Sequence, residues 1–130
     1  MQEICNFLKG CDTYYLATMD GNQPRVRPFG TVNIFDGKLY IQTEKNKNVS
    51  KQIHSNPKIE ISGMYNGKWI RLEAFAVEDD NLNAKKSMLK AYPMLENMYS
   101  AEDKNTELFY LKNATATINS LEGDPVILKF

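Results

Sequence analysis

The sequence predicts a mainly β (α+β) domain, a six- to seven-stranded antiparallel barrel with flanking short helices, over residues 1–130. Three observations carry that reading. Runs of β-branched and aromatic residues are punctuated by tight-turn signals at Asp20-Gly21-Asn22, Asp36-Gly37 and Asn66-Gly67. Helical periodicity is confined to short stretches between them. No repeat, low-complexity tract or linker divides the chain, and its length is that of one domain with a modest core.

Taken in order, Gln2 to Lys9 forms a short helix with Ile4, Phe7 and Leu8 on one face, closed by Gly10. TYYLATMD is the first strand, and PRVRPFGTVNIF the second, reaching to the Asp36-Gly37 turn. KLYIQT follows as the third, so these strands form a meander. Lys45 to Ser55 is a second helix, with Val49 and Ile53 four apart, stopped by Asn56-Pro57. KIEISGMY and KWIRLEAFAVED are the fourth and fifth strands around Asn66-Gly67. From Leu82 to about Tyr99 the pattern is helical and is broken at Pro93. ELFYLKNATATINS is a long sixth strand, bent near Asn113, and VILKF a terminal one after Glu122-Gly123-Asp124-Pro125.

A barrel this small fills its interior with side chains, so a ligand belongs outside it, on a strand face or between subunits. The fifth strand puts Ile70, Leu72, Ala74 and Ala76 on one face. Trp69, Arg71, Glu73, Phe75 and Val77 share the other, and its aromatics favour a dimer interface. On the second strand Arg25, Arg27, Phe29 and Thr31 share a face. Two arginines so placed suit phosphate or carboxylate; the bland alternative is a pair of solvated arginines on an edge strand. Pro28 marks a bulge or edge, and Gly30 leaves room for a flat molecule or another backbone.

The stretch from Gln42 to Asn48, QTEKNKN, hands a strand over to a helix. Free N–H groups, the positive end of the helix dipole, Thr43, Lys47, Asn48 and Lys45 make it an anion site. Pairing the second and third strands through Asp36-Gly37 sets Arg27 to Phe29 opposite Thr43 to Lys45. The arginines and the helix start are thereby expected at one end of one hairpin.

Other chemistries lack support. Sixteen basic and sixteen acidic residues cancel, which argues against nucleic acid, including a small single-strand-binding barrel using lysines 45, 47 and 51. No apolar run approaches the ~20 residues of a membrane span. MQEICNFLKG lacks the basic and apolar regions of a signal peptide, so a cytoplasmic location is expected. Cys5 and Cys11 lack zinc-ligand spacing and read as reduced thiols. His54, the one histidine, reads as solvated or capping, without a partner for metal, and Glu78-Asp79-Asp80 as a solvated strand end. There is no Walker loop, Rossmann fingerprint or supported Ser-His-Asp set, so any redox chemistry must come from a bound cofactor.

The ordered set PRVRPFGTV, DGKLYIQT, KNKNVSKQI with NPKIEI, and GKWIRLEAFAV resembles the pyridoxamine 5′-phosphate oxidase-like family of FMN-binding split barrels. The likeness in order, spacing and turns covers about Thr13 to Asp79. The C-terminal part is similar to short members, the general-stress-protein-like and nitroimidazole-resistance-like branches. The resemblance implies a split β-barrel homodimer with two FMN molecules at the subunit interface. The phosphate would be held by Arg27 or Arg25, Thr43, Lys47 and Asn48. The isoalloxazine would lie against Val26 to Phe29, Pro28 included, and against backbone near Tyr40 to Gln42, with Trp69 of the partner subunit a weaker ring contact.

Two departures shape the expectation. The sequence ends at VILKF without the C-terminal arginine-containing substrate motif of the longer oxidases, which argues against vitamin B6 oxidation. It also lacks the early-strand histidine associated with the nitroimidazole-resistance branch. What is expected is an FMN-dependent oxidoreductase of unspecified substrate, or else a flavin-binding, stress-associated protein without turnover.

Overall fold

A computed structural model describes residues 1–130. Helix α1 (Gln2–Cys11) leads into strands β1 (Tyr14–Asp20), β2 (Gln23–Phe29), β3 (Asn33–Phe35) and β4 (Lys38–Glu44). Helix α2 (Asn48–Ser55), strands β5 (Lys58–Tyr65) and β6 (Lys68–Glu78), and helix α3 (Leu82–Ala91) follow. A 3₁₀ turn at Pro93–Asn97 precedes β7 (Thr106–Ser120) and β8 (Val126–Lys129). All pairings are antiparallel, in the order β2-β1-β5-β6-β7-β4-β3, with β8 on β7. No helix is long and apolar enough to cross a membrane.

The connection between the two ends of that path forces the sheet to curl. Seven strands laid flat would span about 29 Å. Yet β2 and β3, the two edges, are joined only by residues 30–32, whose extended reach is about 14 Å. The result is an open barrel. Its interior is filled by alternate strand residues, Leu16, Ile61, Ile70, Leu72 and Ile41 among them, all fully buried. Helix α1 adds Ile4, Phe7 and Leu8, and α2 adds Val49 and Ile53. A second, smaller cluster lies outside the sheet, where Ala84 and Met88 of α3 cover Tyr40 and Leu108.

The turns are those the sequence predicts. Asp36-Gly37 and Asn66-Gly67 have positive φ at both central positions (49° and 72°; 54° and 73°), the hairpin geometry matched to strand twist. The expected bend in β7 is a bulge. Asn113 has φ 51°, and the β6–β7 register advances three residues on β7 for two on β6 between Glu73 and Phe75.

Four expectations need correction. The second strand is two: residues 30–32 leave the ladder, and the hydroxyls of two tyrosines take up their backbone groups. Tyr14 donates to the Thr31 carbonyl (2.6 Å), while Tyr92 donates to the Val32 carbonyl and accepts from its N–H (both 3.1 Å). Consequently only β3 pairs with β4, through Asn33–Tyr40, Ile34–Leu39 and Phe35–Lys38, whereas β2 pairs with β1. The proposed pairing of Arg27 to Phe29 with Thr43 to Lys45 does not exist. Helix α2 begins at Asn48 rather than Lys45, because a turn at residues 45–46 intervenes. Helix α1 passes through Gly10 to Cys11 and ends on Asp12 at φ 62°. Gly10 serves packing instead, since a Cβ there would stand 2.8 Å from the Tyr65 ring.

Candidate functional site

Arg27 and the start of α2 are brought together by the curl of the barrel, not by a hairpin. Two open clefts, of ≈ 740 and ≈ 490 Å³, flank the start of α2. Both are within the range of about 300–1,000 Å³ usual for small-molecule sites. They share Arg27, Lys47 and Val49. In the larger, Arg25, Arg27, Lys47 and Lys51 face a single acid, Asp20. A chain with no net charge thus gathers four cations around one groove. The second is lined from β2 by Pro28 and Phe29, from β4 by Gln42 and Thr43, and from the C-terminal helical segment by Tyr92 and Tyr99.

Helix α2 offers its N-terminus to this groove. Lys47 is the N-cap in an extended conformation (φ −84°, ψ 151°), and no side chain caps the first turn. The helix N–H groups near Asn48 are therefore available to an anion. Lys47 is exposed, its Nζ 3.6 Å from Glu44 Oε1. Glu44 is also engaged by the Tyr99 hydroxyl (2.8 Å) and the Asn105 amide (2.9 Å), leaving Lys47 a loosely held cation.

Arg27 is anchored more firmly. Opposite Leu16 on the inward face, it donates from Nη1 to the Leu16 carbonyl (3.1 Å) and Thr18 Oγ1 (2.8 Å). From Nη2 it donates to Gln52 Oε1 (2.7 Å), which also accepts from Thr18 Oγ1 (2.5 Å). This network ties α2 to the β1–β2 edge and fixes the guanidinium plane. Five N–H donors meet fewer protein acceptors, so donors remain for a ligand. Burial lowers the Arg27 pKa from its ordinary value, and a guanidinium remains charged regardless. Arg25 is looser, paired with Asp20 at 3.2 Å with both side chains about half exposed.

Gln42 supplies a different signal. Its side chain is buried at the second cleft, and Oε1 has no hydrogen-bond donor anywhere in the chain. An unpaired buried amide oxygen costs about 1–3 kcal/mol unless a ligand satisfies it. Gly30, on the same cleft, has space where a side chain would be: a Cβ there would meet only the Asp12 carbonyl, at 3.8 Å.

Of the residues singled out from sequence, Arg25, Val26, Arg27, Lys47 and Asn48 line the larger cleft. Arg27, Pro28, Phe29, Gln42, Thr43 and Lys47 line the second. Phe29 is itself buried against Tyr14, with ring centroids 6.0 Å apart, so it forms a wall and not a free surface. Lys45 points elsewhere, into a groove with Asp80 and Lys85. Trp69 sits at the far end of β6, opposite Met64 and Asn119, and lines neither cleft. Sequence reasoning missed Tyr92, Tyr99 and Gln52, whose positions depend on tertiary packing. It also left His54 without partners, whereas Nε2 lies 2.9 Å from Glu107 Oε2 and 3.2 Å from Glu78 Oε2.

Residues 1–112 match the family model described as pyridoxamine 5′-phosphate oxidase. The crystal structure of a NimC/NimA family protein from Clostridium acetobutylicum is 43% identical. Its TM-score is 0.97, over 100% of this chain and 92% of that one. General Stress Protein 26 from Bacillus anthracis shares the fold at 21% identity (TM-score 0.77, 99% and 97% covered). So does a heme binding protein from Mycobacterium smegmatis at 11% (TM-score 0.78, 98% and 56% covered). The search of curated proteins returned no match.

Proposed function

Since the chain belongs to the pyridoxamine 5′-phosphate oxidase family, we propose that it binds FMN and acts as an FMN-dependent oxidoreductase on a small molecule. The observation that carries the proposal is the set of four cations, Arg25, Arg27, Lys47 and Lys51, around a groove at the uncapped start of α2. A phosphate monoester there meets charge-assisted donors and free helix N–H groups. Beside it, Gly30 and Pro28 leave a low wall for a flat group. These residues fit FMN in both its anionic and its planar part.

In this reading each residue binds or orients, and none is a nucleophile. Arg27, immobilised by Thr18 and Gln52, and Lys47 hold the phosphate. Arg25 and Lys51 add longer-range charge, with Thr43 and Asn48 as polar neighbours. Bound FMN supplies the electron and hydride chemistry, which the protein controls by position and solvent access. The protein acts as a homodimer with the cofactor at the interface, in the cytoplasm. Exposed apolar residues on the outer face of the sheet, Tyr15 and Val26, set among the polar Ser62, Arg71 and Glu73, support the dimer. Haem is not favoured, because the single histidine is engaged by two carboxylates and lines neither cleft.

The direct test is the spectrum of the purified protein. We expect oxidised-flavin absorbance, FMN released on denaturation, and reoxidation after reduction by a nicotinamide donor. Protein that stays colourless and binds no added FMN contradicts the proposal. Flavin bound without turnover leaves a binder and removes the enzyme.

A further inference from the structure

At the last turn of α2, three side chains from three elements meet. His54 comes from the last turn of α2, Glu78 ends β6, and Glu107 lies near the start of β7. The β6–β7 ladder pairs Glu78 with Phe109, and Glu107 lies two residues before Phe109. Alternation therefore turns both carboxylates to the same inward face. Phe109 packs on the imidazole, with ring centroids 5.7 Å apart.

We propose that His54, Glu78 and Glu107 bind a divalent metal ion of the zinc class, which clamps α2 to β6 and β7. One donor atom from each residue falls within 4.8 Å of the others. In a tetrahedral site with ligands about 2.0–2.2 Å from zinc, donor atoms stand about 3.3 Å apart. His54 Nε2 lies 2.9 and 3.2 Å from the two carboxylates, close to that spacing.

The second, independent observation is Glu107 itself. Its side chain is 2% exposed and aimed at His54 through Oε2, while Oε1 has no hydrogen-bond donor. A carboxylate so buried calls for more positive charge than one imidazole provides. Two carboxylates and a neutral imidazole match a divalent cation in charge, and the nitrogen ligand favours zinc-like metals over magnesium or calcium. Partial exposure of His54 and Glu78 (47% and 35%) leaves a way in and a fourth position for water. No other histidine competes for the metal.

The test uses the intact chain, stripped with a chelator and titrated with ZnCl₂. The one histidine gives a single set of imidazole NMR resonances to follow. We expect saturation at one equivalent, movement of the His54 resonances, and a Tm that rises with zinc as binding to the native state requires. His54→Ala and Glu107→Gln should weaken zinc binding by more than about 100-fold, beyond the 10–100-fold typical of an outer-shell partner. Glu78→Gln, at a more exposed position, guards against a variant that merely misfolds and should also lose the Tm rise. Unmoved His54 resonances at saturating zinc overturn the proposal. So does a zinc-induced Tm rise that survives His54→Ala, or one abolished only by Cys11→Ser, which would assign the metal to the thiol.

Discussion

Two glycines show how differently single residues serve fold and site. Gly63 lies under α1, and a Cβ there would stand 2.9 Å from Cys11 Sγ and 3.3 Å from Tyr14 Cβ. Tyr14 is fully buried, so it has little room to retreat. Gly63→Ala should therefore cost about 1–3 kcal/mol, measured by urea unfolding, as overpacking does. Gly30 has no comparable neighbour, and its openness faces the second cleft. Gly30→Ala should leave stability within about 0.5 kcal/mol and weaken FMN binding. A large stability loss there would mean the glycine is needed by the fold, against this account. From sequence, Gly30 was readable as a gap on a cationic strand. Gly63 was not, because its neighbours come from α1 and β1 by tertiary packing. The cations at 25, 27 and 47 were also readable, by alternation and by position at a helix start. Gln52 was not, since its partners Thr18 and Arg27 are 34 and 25 residues away.

At the scale of elements, local signals carried far, and pairing did not. Turn chemistry located the hairpins, and apolar alternation located the buried face of β6. The break at residues 30–32 was hidden because Gly30, Thr31 and Val32 continue the β-like composition, and the tyrosines that hold them lie outside the run. The connection before β7 is another element that only its bonds explain. Burial pushes the Asp103 carboxyl up, but donors from Ser100, Thr106 and Asn105 outweigh it and bring its pKa from 3.8 down to about 2. Thr106 contributes both its N–H (2.6 Å) and its hydroxyl (2.9 Å). A carboxyl depressed in the folded state stabilises it above the unfolded value, and the contribution fades as pH falls through the folded one. The lead into β7 should thus loosen between pH 3.8 and about 2. Hydrogen exchange at Asn105 and Thr106 measures this, and Asp103→Asn should abolish the pH step. A step unchanged in that variant would assign the transition to another group.

At the scale of the whole molecule, the barrel's interior is closed by its own side chains. The filled interior leaves only the rim and the outer face open to a ligand. Register aligns Tyr15, Val26, Met64 and Ile127 on that outer face, at 51%, 68%, 71% and 61% exposure. With Thr117, Arg71 and Ser62 between them in the register, they form a mixed polar and apolar face of the kind found where copies of a chain meet. Val26→Lys should yield monomers by sedimentation and lose flavin with little change in fold; a variant that remains dimeric places the interface elsewhere. The proposed contact of the FMN phosphate with Arg27 and Lys47 lies in the groove at the start of α2. It is tested most directly by comparing affinities for FMN and riboflavin, which differ only in that phosphate. With charged hydrogen bonds contributing about 1.5–3 kcal/mol each, the protein should prefer FMN by at least about 100-fold. The double variant Arg27→Ala, Lys47→Ala should keep its fold and lose most of that preference. Equal affinity for the two flavins, or an unchanged preference in the double variant, would contradict the account.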